Sequence, residues 1–313
     1  MKKIVLVFGV LLSFFTANIY GQESLYVSAG GSSNIGFSEA APGNSLINAL
    51  ILAKAGYIKK ITVIGTLDMG SDSMSREFIR DNGAVFGLPD LSRFSSNSDT
   101  QEILVTGKQG ASATERAVLT GQNSGASVLS FSDNIRIRFE NIEISNGEVS
   151  ENTAGAGLIV MGNSVITLGT GVIVRANQRF GVGVIAGGTV ILDGGEVRDN
   201  QGGGFFVNIN GNLVIRNGAV RNNRSPTNGG GVFIARGGNL TMSGGAITGN
   251  SSLFGGGITI FEGGNFTMSG GSITANSAVG GGGIYVQKDG RFEQTGGDIS
   301  NNTANTGPNV FRE

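Results

Sequence analysis

The chain has 313 residues, of which 55 are glycine, 4 are proline and none is histidine or cysteine. This is more than twice the usual glycine share of roughly 7%. There is no strict Gly-X-Y period, which excludes collagen, and 39% hydrophobic against 14% charged residues argues against disorder. Without histidine or cysteine there is no Ser-His-Asp triad, thiolate nucleophile, disulfide or histidine-ligated zinc. The formal charge of −1 argues against nucleic-acid binding.

Residues 1–21 are typical of a secretory signal peptide. Lys2 and Lys3 precede an apolar run from Ile4 to about Ala17, and small residues follow. The run is shorter than the roughly 20 residues that span a bilayer, which disfavours the alternative of a membrane anchor. We therefore expect an exported protein, periplasmic, on the cell surface or extracellular, whose remaining residues 22–313 form one domain without a transmembrane segment.

Two features precede the repeats. Residues 45–55 predict a short helix with Ser45 as N-cap and Gly56 as its stop, and we expect this helix to cap the N-terminal end of the repeat stack. Residues 70–101 are polar and predict a loop excursion between two strands. Loops of this length are uncommon unless they are functional or disordered.

Residues 157–302 contain the clearest repeats. GVFIARGGNLTMSGGAITGN at 231–250 is followed by GITIFEGGNFTMSGGSITAN at 257–276 and GIYVQKDGRFEQTGGDISNN at 283–302. Each unit has three short alternating runs bounded by Gly, Asn or Ser, which indicates three strands. Alternation places Val232, Ile234, Leu240, Met242 and Ile247 on one face. Because one unit cannot bury that face alone, the units must stack into a three-sided parallel β-solenoid, with glycine at the corners.

Asparagine closes every unit. Its side chain either favours a left-handed turn or forms a ladder of amides hydrogen-bonded from coil to coil, and we expect the ladder. Both roles are structural. The residues are Asn177, Asn200, Asn223, Asn250, Asn276 and Asn302.

The GGGV, GGAI, GGSI and GGGGI repeats resemble those of right-handed parallel β-helix proteins of the pectate-lyase-like superfamily. They look closer still to glycine-rich repeats in the passengers of polymorphic outer-membrane proteins and in spirochaetal surface proteins. The resemblance covers 130–313 and, more loosely, 24–70; Phe131 to Asn134 matches the FxxN motif of the polymorphic family. It implies an all-β, single-stranded right-handed parallel β-helix with three strands per coil, about 10–11 coils and an N-terminal capping helix.

One outward stripe on the first strand of each coil is largely apolar and aromatic. A contiguous exposed stripe of this kind marks a binding face, unless a flanking loop or the 70–101 excursion covers it. The predicted positions are Ile159, Ile185, Phe206, Phe233, Thr259 and Tyr285.

A second stripe, on the third strand, is basic. It consists of Arg175, Arg198 and Arg221, and it either binds anionic groups or is a solvated face neutralised by Glu196 and Asp199. Together with Asp193, Glu196 and Asp199 form the only compact acidic group in the sequence. If the protein is an enzyme, these acids, with Arg198 and Arg221 as bases, are the candidates for catalysis. We expect no cofactor and no metal site.

The favoured function is a non-enzymatic, adhesin-like scaffold that presents a repeat-built face to a glycan or to a host or cell-surface protein. The alternative is an enzyme acting on an acidic polysaccharide, since lyases and glycosidases have the fold that the repeats resemble.

The C-terminal sequence offers only Val310 and Phe311 to cover the last coil. Because an open solenoid end invites association, that end is also expected to be an oligomerisation or partner surface.

Overall fold

The computed structural model describes residues 24–29, 31, 42, 45–54, 58–69, 102–108, 116–121, 127–132, 134–147 and 155–313. The predicted signal peptide at 1–21, the predicted helix stop at Gly56 and the predicted excursion at 70–101 lie outside the described residues. Of the residues that are described, none belongs to a helix long and apolar enough to cross a bilayer.

Within these ranges the chain forms one helix, α1 (Leu46–Lys54), and 25 short strands. The strands of the first half are β1 (Ser24–Ser28), β2 (Lys60–Ile64), β3 (Thr66–Asp68), β4 (Ile103–Lys108), β5 (Ala117–Thr120), β6 (Leu129–Phe131), β7 (Arg136–Glu140), β8 (Ile142–Ser145), β9 (Leu158–Val160), β10 (Val165–Leu168), β11 (Ile173–Arg175) and β12 (Val182–Val184). Those of the second half are β13 (Thr189–Arg198), β14 (Phe205–Val207), β15 (Asn212–Arg221), β16 (Val232–Ile234), β17 (Asn239–Thr248), β18 (Ile258–Ile260), β19 (Asn265–Thr274), β20 (Ser277–Gly280), β21 (Ile284–Val286), β22 (Arg291–Gln294), β23 (Asp298–Ser300), β24 (Thr303–Thr306) and β25 (Val310–Arg312).

The strands stack in parallel on three faces, as the repeats predict. Face 1 contains the short strands β6, β9, β12, β14, β16, β18, β21 and β25. Face 2 contains β1, β2, β4, β7, β10, the first halves of β13, β15, β17 and β19, and β22; face 3 contains β3, β5, β8, β11, the second halves of the same four long strands, and β23. Among the described residues, about seven turns have strands on all three faces, and β1, β2 and β4 extend face 2 to ten stacked strands, against the ten or eleven coils predicted.

Four ten-residue strands pass from face 2 to face 3 without a break because a glycine pair, or Asn217-Gly218 in β15, lies at the corner. In β19 this pair is Gly270 and Gly271, and the pairing of β17 with β19 shifts register there. Gly271 has φ +85°, and a Cβ atom on it would lie 2.7 Å from the carbonyl oxygen of Gly244 in the preceding coil. Only glycine combines this conformation with so close an approach of two backbones.

The core is the column of side chains enclosed by the three faces. Val232, Ile234, Met242 and Ile247 are completely buried, and Leu240 is 2% exposed, which confirms the predicted inward set. Burial of each such side chain contributes roughly 1.5–3 kcal/mol, so the stack as a whole supplies the stability that no single coil has.

Helix α1 packs at the N-terminal end of the stack, against β1 and β2. The Ser45 hydroxyl accepts a hydrogen bond from the backbone N–H of Asn48 at 3.2 Å, which makes Ser45 the N-cap. Leu46 and Leu50 are buried in the same core as the first strands. The helix therefore covers apolar surface that the first coil would otherwise expose.

Candidate functional site

A buried asparagine ladder fixes the coils to one another along the corner between faces 3 and 1. Each Asn Nδ2 donates to the Oδ1 of the next asparagine at 2.8–3.0 Å, and each backbone N–H donates to the same oxygen at 2.9–3.2 Å. The residue before each asparagine takes the left-handed conformation, so the asparagine itself is not the turn residue. The ladder residues are Asn177, Asn200, Asn223, Asn250, Asn276 and Asn302, all of them buried.

The middle residue of each face 1 strand points outward, and these residues form a column in register. Its members are Ser130, Ile159, Gly183, Phe206, Phe233, Thr259, Tyr285 and Phe311. The predicted placement of Ile185 is wrong, because Gly183 holds that position in β12 and Ile185 lies in the turn that follows. Phe311, which is not among the predicted positions, also belongs to the column.

Aromatic rings cover much of face 1 in two clusters. In the first, Phe180 stacks on Phe206 with centroids 4.9 Å apart, Phe206 lies 5.6 Å from Phe233, and Phe233 meets Phe261 edge-on at 4.8 Å. In the second, Tyr285 lies between Phe254 at 5.0 Å and Phe311 at 5.3 Å. We call these seven rings the aromatic face. Phe180, Phe254 and Phe261 are additions to the predicted stripe, and they come from loops and turns beside the strands.

The aromatic face is half-buried. Six of the seven residues are partly exposed, and Tyr285 is 8% exposed. Thr259, which the sequence analysis assigned to the open stripe, is fully buried; its hydroxyl donates to the carbonyl of Phe254 at 2.6 Å and accepts from the N–H of Gly229 at 2.9 Å. Neighbouring loop residues therefore cover part of the predicted stripe.

The arginine stripe is in register on face 3, where Arg175 pairs with Arg198 and Arg198 with Arg221. Acidic side chains already engage each guanidinium. Arg175 Nη2 lies 2.9 Å from Glu143 Oε1, and the hydrogen bond between them raises the pKa of Arg175. Arg221 Nη2 lies 2.8 Å from Glu196 Oε2. This arrangement corresponds to the neutralised face rather than to an open anion site.

The three candidate acids do not converge. Asp193 Oδ2 lies 3.3 Å from Arg138 Nη1 on face 2. Glu196 and Asp199, on face 3, both contact Arg198, with Glu196 Oε2 3.3 Å from its Nε. Over the described residues, no group of three acidic side chains is positioned to hold a metal ion. The partners Arg138 and Glu143, which were not predicted, lie in a single coil upstream of the clearest repeats.

Three parallel faces stacked in register define a parallel β-helix. The comparison with protein families identifies its hand: the model of the right handed beta helix region matches residues 101–273 and 156–311. The chain therefore belongs to this family. Neither the search of curated proteins nor the search of solved structures found a match.

Proposed function

We propose that the chain is a non-enzymatic binding scaffold whose aromatic face docks a protein partner. The observation that carries the proposal is the grouping of seven rings, six of them partly exposed, on one side of the solenoid. Aromatic side chains supply large contact area with few rotatable bonds, and they are enriched at interaction surfaces. Rings held by stacked strands need little further ordering when a partner binds, which lowers the entropic cost of association.

Ring orientation favours a protein over a glycan. Phe180 and Phe206 are only 15° from coplanar, and Tyr285 and Phe311 only 18°, so in each pair the facing surfaces cover each other. Stacked rings leave mainly their edges for a partner. A sugar packs on the flat surface of a ring, whereas ring edges fit between the aliphatic and aromatic side chains of a protein.

The state of the carboxylates supports binding over catalysis. A glycosidase needs two carboxyl groups on either side of one bond, and they must be available to substrate. Asp193 is engaged by Arg138, while Glu196 and Asp199 share Arg198. With their charges neutralised in separate networks on two faces, these acids lack the arrangement that hydrolysis requires.

We further propose that the protein is exported and acts at a surface or in the periplasm. The support is the signal-peptide pattern of residues 1–21 together with the resemblance of the repeats to those of polymorphic outer-membrane-protein passengers and spirochaetal surface proteins. Fractionation of the native cells followed by immunodetection tests this localisation.

The binding test replaces two central rings by serine, Phe206→Ser with Phe233→Ser. The matched control is Leu253→Ser with Val279→Ser, which removes two apolar side chains, 41% and 46% exposed, that lie beside Phe254 but are not among the seven rings. On arrays of purified cell-surface proteins and of glycans, we expect wild type and control to retain a protein ligand that the ring variant loses at least tenfold. Binding to glycans alone, or equal binding by both variants, contradicts the proposal. So does release of sugars from uronate polymers that Asp193→Ala abolishes.

A further inference from the structure

Two apolar columns of the core end in polar residues at the last coil. On face 2 the inward positions run Leu192, Ile215, Met242 and Met268, and the next residue in register is Gln294. On face 1 the corresponding column runs through Ile260 and Val286, and the next residue in register is Arg312. Gln294 and Arg312 are both exposed, whereas the residues that they follow are buried.

Arg312 lies across the end of the core. Its guanidinium carbon is 5.5 Å from the centroid of the Phe292 ring, and its Nη2 donates to the Phe292 carbonyl at 3.1 Å. Phe292 in turn stacks on buried Phe266, with centroids 5.1 Å apart. The guanidinium thus occupies the outer side of the terminal ring, where one more coil would otherwise place an apolar residue.

The asparagine ladder ends in the same segment. Asn309 Oδ1 accepts from Asn302 Nδ2 at 3.2 Å and from the Asn302 backbone N–H at 3.4 Å. Gln294 Nε2 donates to the carbonyl of Gly297 at 3.1 Å. The donors that a further coil would have satisfied therefore find partners within the last coil itself.

We propose that Gln294, Asn309 and Arg312 form a terminal cap that blocks pairing of this end with a second copy of the chain. Pairing of this end with the same end of a second copy would bury Arg312 and Gln294 of both copies and break their hydrogen bonds to Phe292 and Gly297, and burying polar groups without partners is unfavourable. This changes the expectation that only Val310 and Phe311 cover the coil. Such inward-pointing polar groups are a known means of blunting sheet edges.

The two ends differ in a way that predicts what uncapping produces. Helix α1 covers the N-terminal end, so removing the terminal cap creates one adhesive end per chain. Two identical ends can meet only about a twofold axis, and that contact closes on itself. The expected product is a dimer and not a filament.

The test is the double substitution Gln294→Leu with Arg312→Val in the full chain, measured by sedimentation velocity and light scattering over a range of concentrations. The control is Arg236→Val, which removes one positive charge and adds the same apolar group at an exposed turn. We expect a twofold rise in weight-average mass for the double variant relative to wild type, and no change for the control. An unchanged mass refutes the cap, and filaments refute the closed N-terminal end.

Folding of the variants is checked by the β-sheet signal in circular dichroism. If the double variant loses that signal, Arg312→Val alone is the second test, since it leaves Gln294 and its hydrogen bond in place. For Arg312→Val we expect the same twofold rise in weight-average mass, at higher protein concentration. If this single variant is folded and has the mass of wild type at every concentration, the proposal is overturned. Neither result depends on the partner of the aromatic face.

Discussion

Replacing Asn250 with alanine tests whether the asparagine ladder stabilises the solenoid. The Asn250 side chain is completely buried in the middle of the ladder. Its Oδ1 accepts from the backbone N–H and the Nδ2 of Asn223 at 2.9 and 3.0 Å. Its Nδ2 donates to Asn276 Oδ1 at 3.0 Å, and to the carbonyls of Val220 and Thr248 at 2.9 and 3.2 Å.

The magnitude follows from the partners that alanine leaves unpaired. Asn223 Nδ2 keeps its bond to the Val197 carbonyl at 2.9 Å, and Asn276 Oδ1 keeps the backbone N–H of residue 250 at 2.9 Å. The Asn223 backbone N–H loses its ladder acceptor, whereas the Val220 carbonyl loses only its side-chain donor, because β15 is paired with β17 at this point. A buried group left unsatisfied costs about 1–3 kcal/mol and a lost hydrogen bond about 1 kcal/mol, so we expect a loss of about 3 kcal/mol in the free energy of unfolding.

The assay is urea unfolding followed by circular dichroism, because the chain has no tryptophan. The control is Asn265→Ala, in a second and partly exposed asparagine row on face 2, where Asn265 Nδ2 donates to Asn239 Oδ1 at 3.1 Å. That substitution should cost about 1 kcal/mol or less, because water can replace the lost bond. Equal losses for the two variants, or a cost below about 1 kcal/mol for Asn250→Ala, would refute the reasoning.

Two further predictions concern a corner glycine and a buried tyrosine. Gly231→Ala should lower the free energy of unfolding by about 1–3 kcal/mol in the same urea assay, because its Cβ would lie 2.6 Å from the rigid carbonyl oxygen of Gly257. Gly183→Ala is the control, since its Cβ meets only the terminal methyl of an isoleucine side chain, and a similar loss there would argue against backbone crowding. Burial, and then the hydrogen bond to the Glu313 carboxylate, raise the pKa of Tyr285 to about 12. The stability that this tyrosine contributes is therefore present below pH 10 and is lost as the pH rises through about 12. The difference in tyrosinate absorbance between wild type and Tyr285→Phe measures this pKa. A measured pKa near 10 contradicts the prediction.

Alternation in the sequence predicts which side chains point inward but not the register of every coil. Ile185 illustrates the limit. In the unit that contains β12, Gly181 and Gly183 are two residues apart, and either can be taken as the start of the first strand. Because side chains alternate with a period of two, a slip of two residues leaves every apolar residue on its correct face. Only the pairing of Gly183 with Phe206 identifies the true register.

Side-chain contacts with the coil that precedes the clearest repeats were also beyond prediction from the repeats. Glu143 and Arg138 neutralise candidate site residues, yet both lie upstream of residue 157, where the repeat pattern is clearest. Phe180 and Phe254 lie in loops of unequal length, outside the alternating runs that the sequence analysis follows. The sequence of a loop does not specify where its side chains pack, so only the structure shows that Phe180 and Phe254 lie on face 1.

The spacing of the coils explains why face 1, and not face 3, is the better candidate for binding. Parallel strands lie about 4.8 Å apart, so every outward column brings equivalent side chains to that distance. Rings in such a column stack favourably, as the paired residues Tyr285 and Phe311 do with centroids 5.3 Å apart, and they need no outside partner to be stable there. Arginines at the same spacing repel and must be neutralised, which is why Glu143 and Glu196 occupy the neighbouring column. The same spacing therefore stabilises an outward aromatic surface on face 1, but it requires that the arginines on face 3 be neutralised by acidic side chains of the same protein.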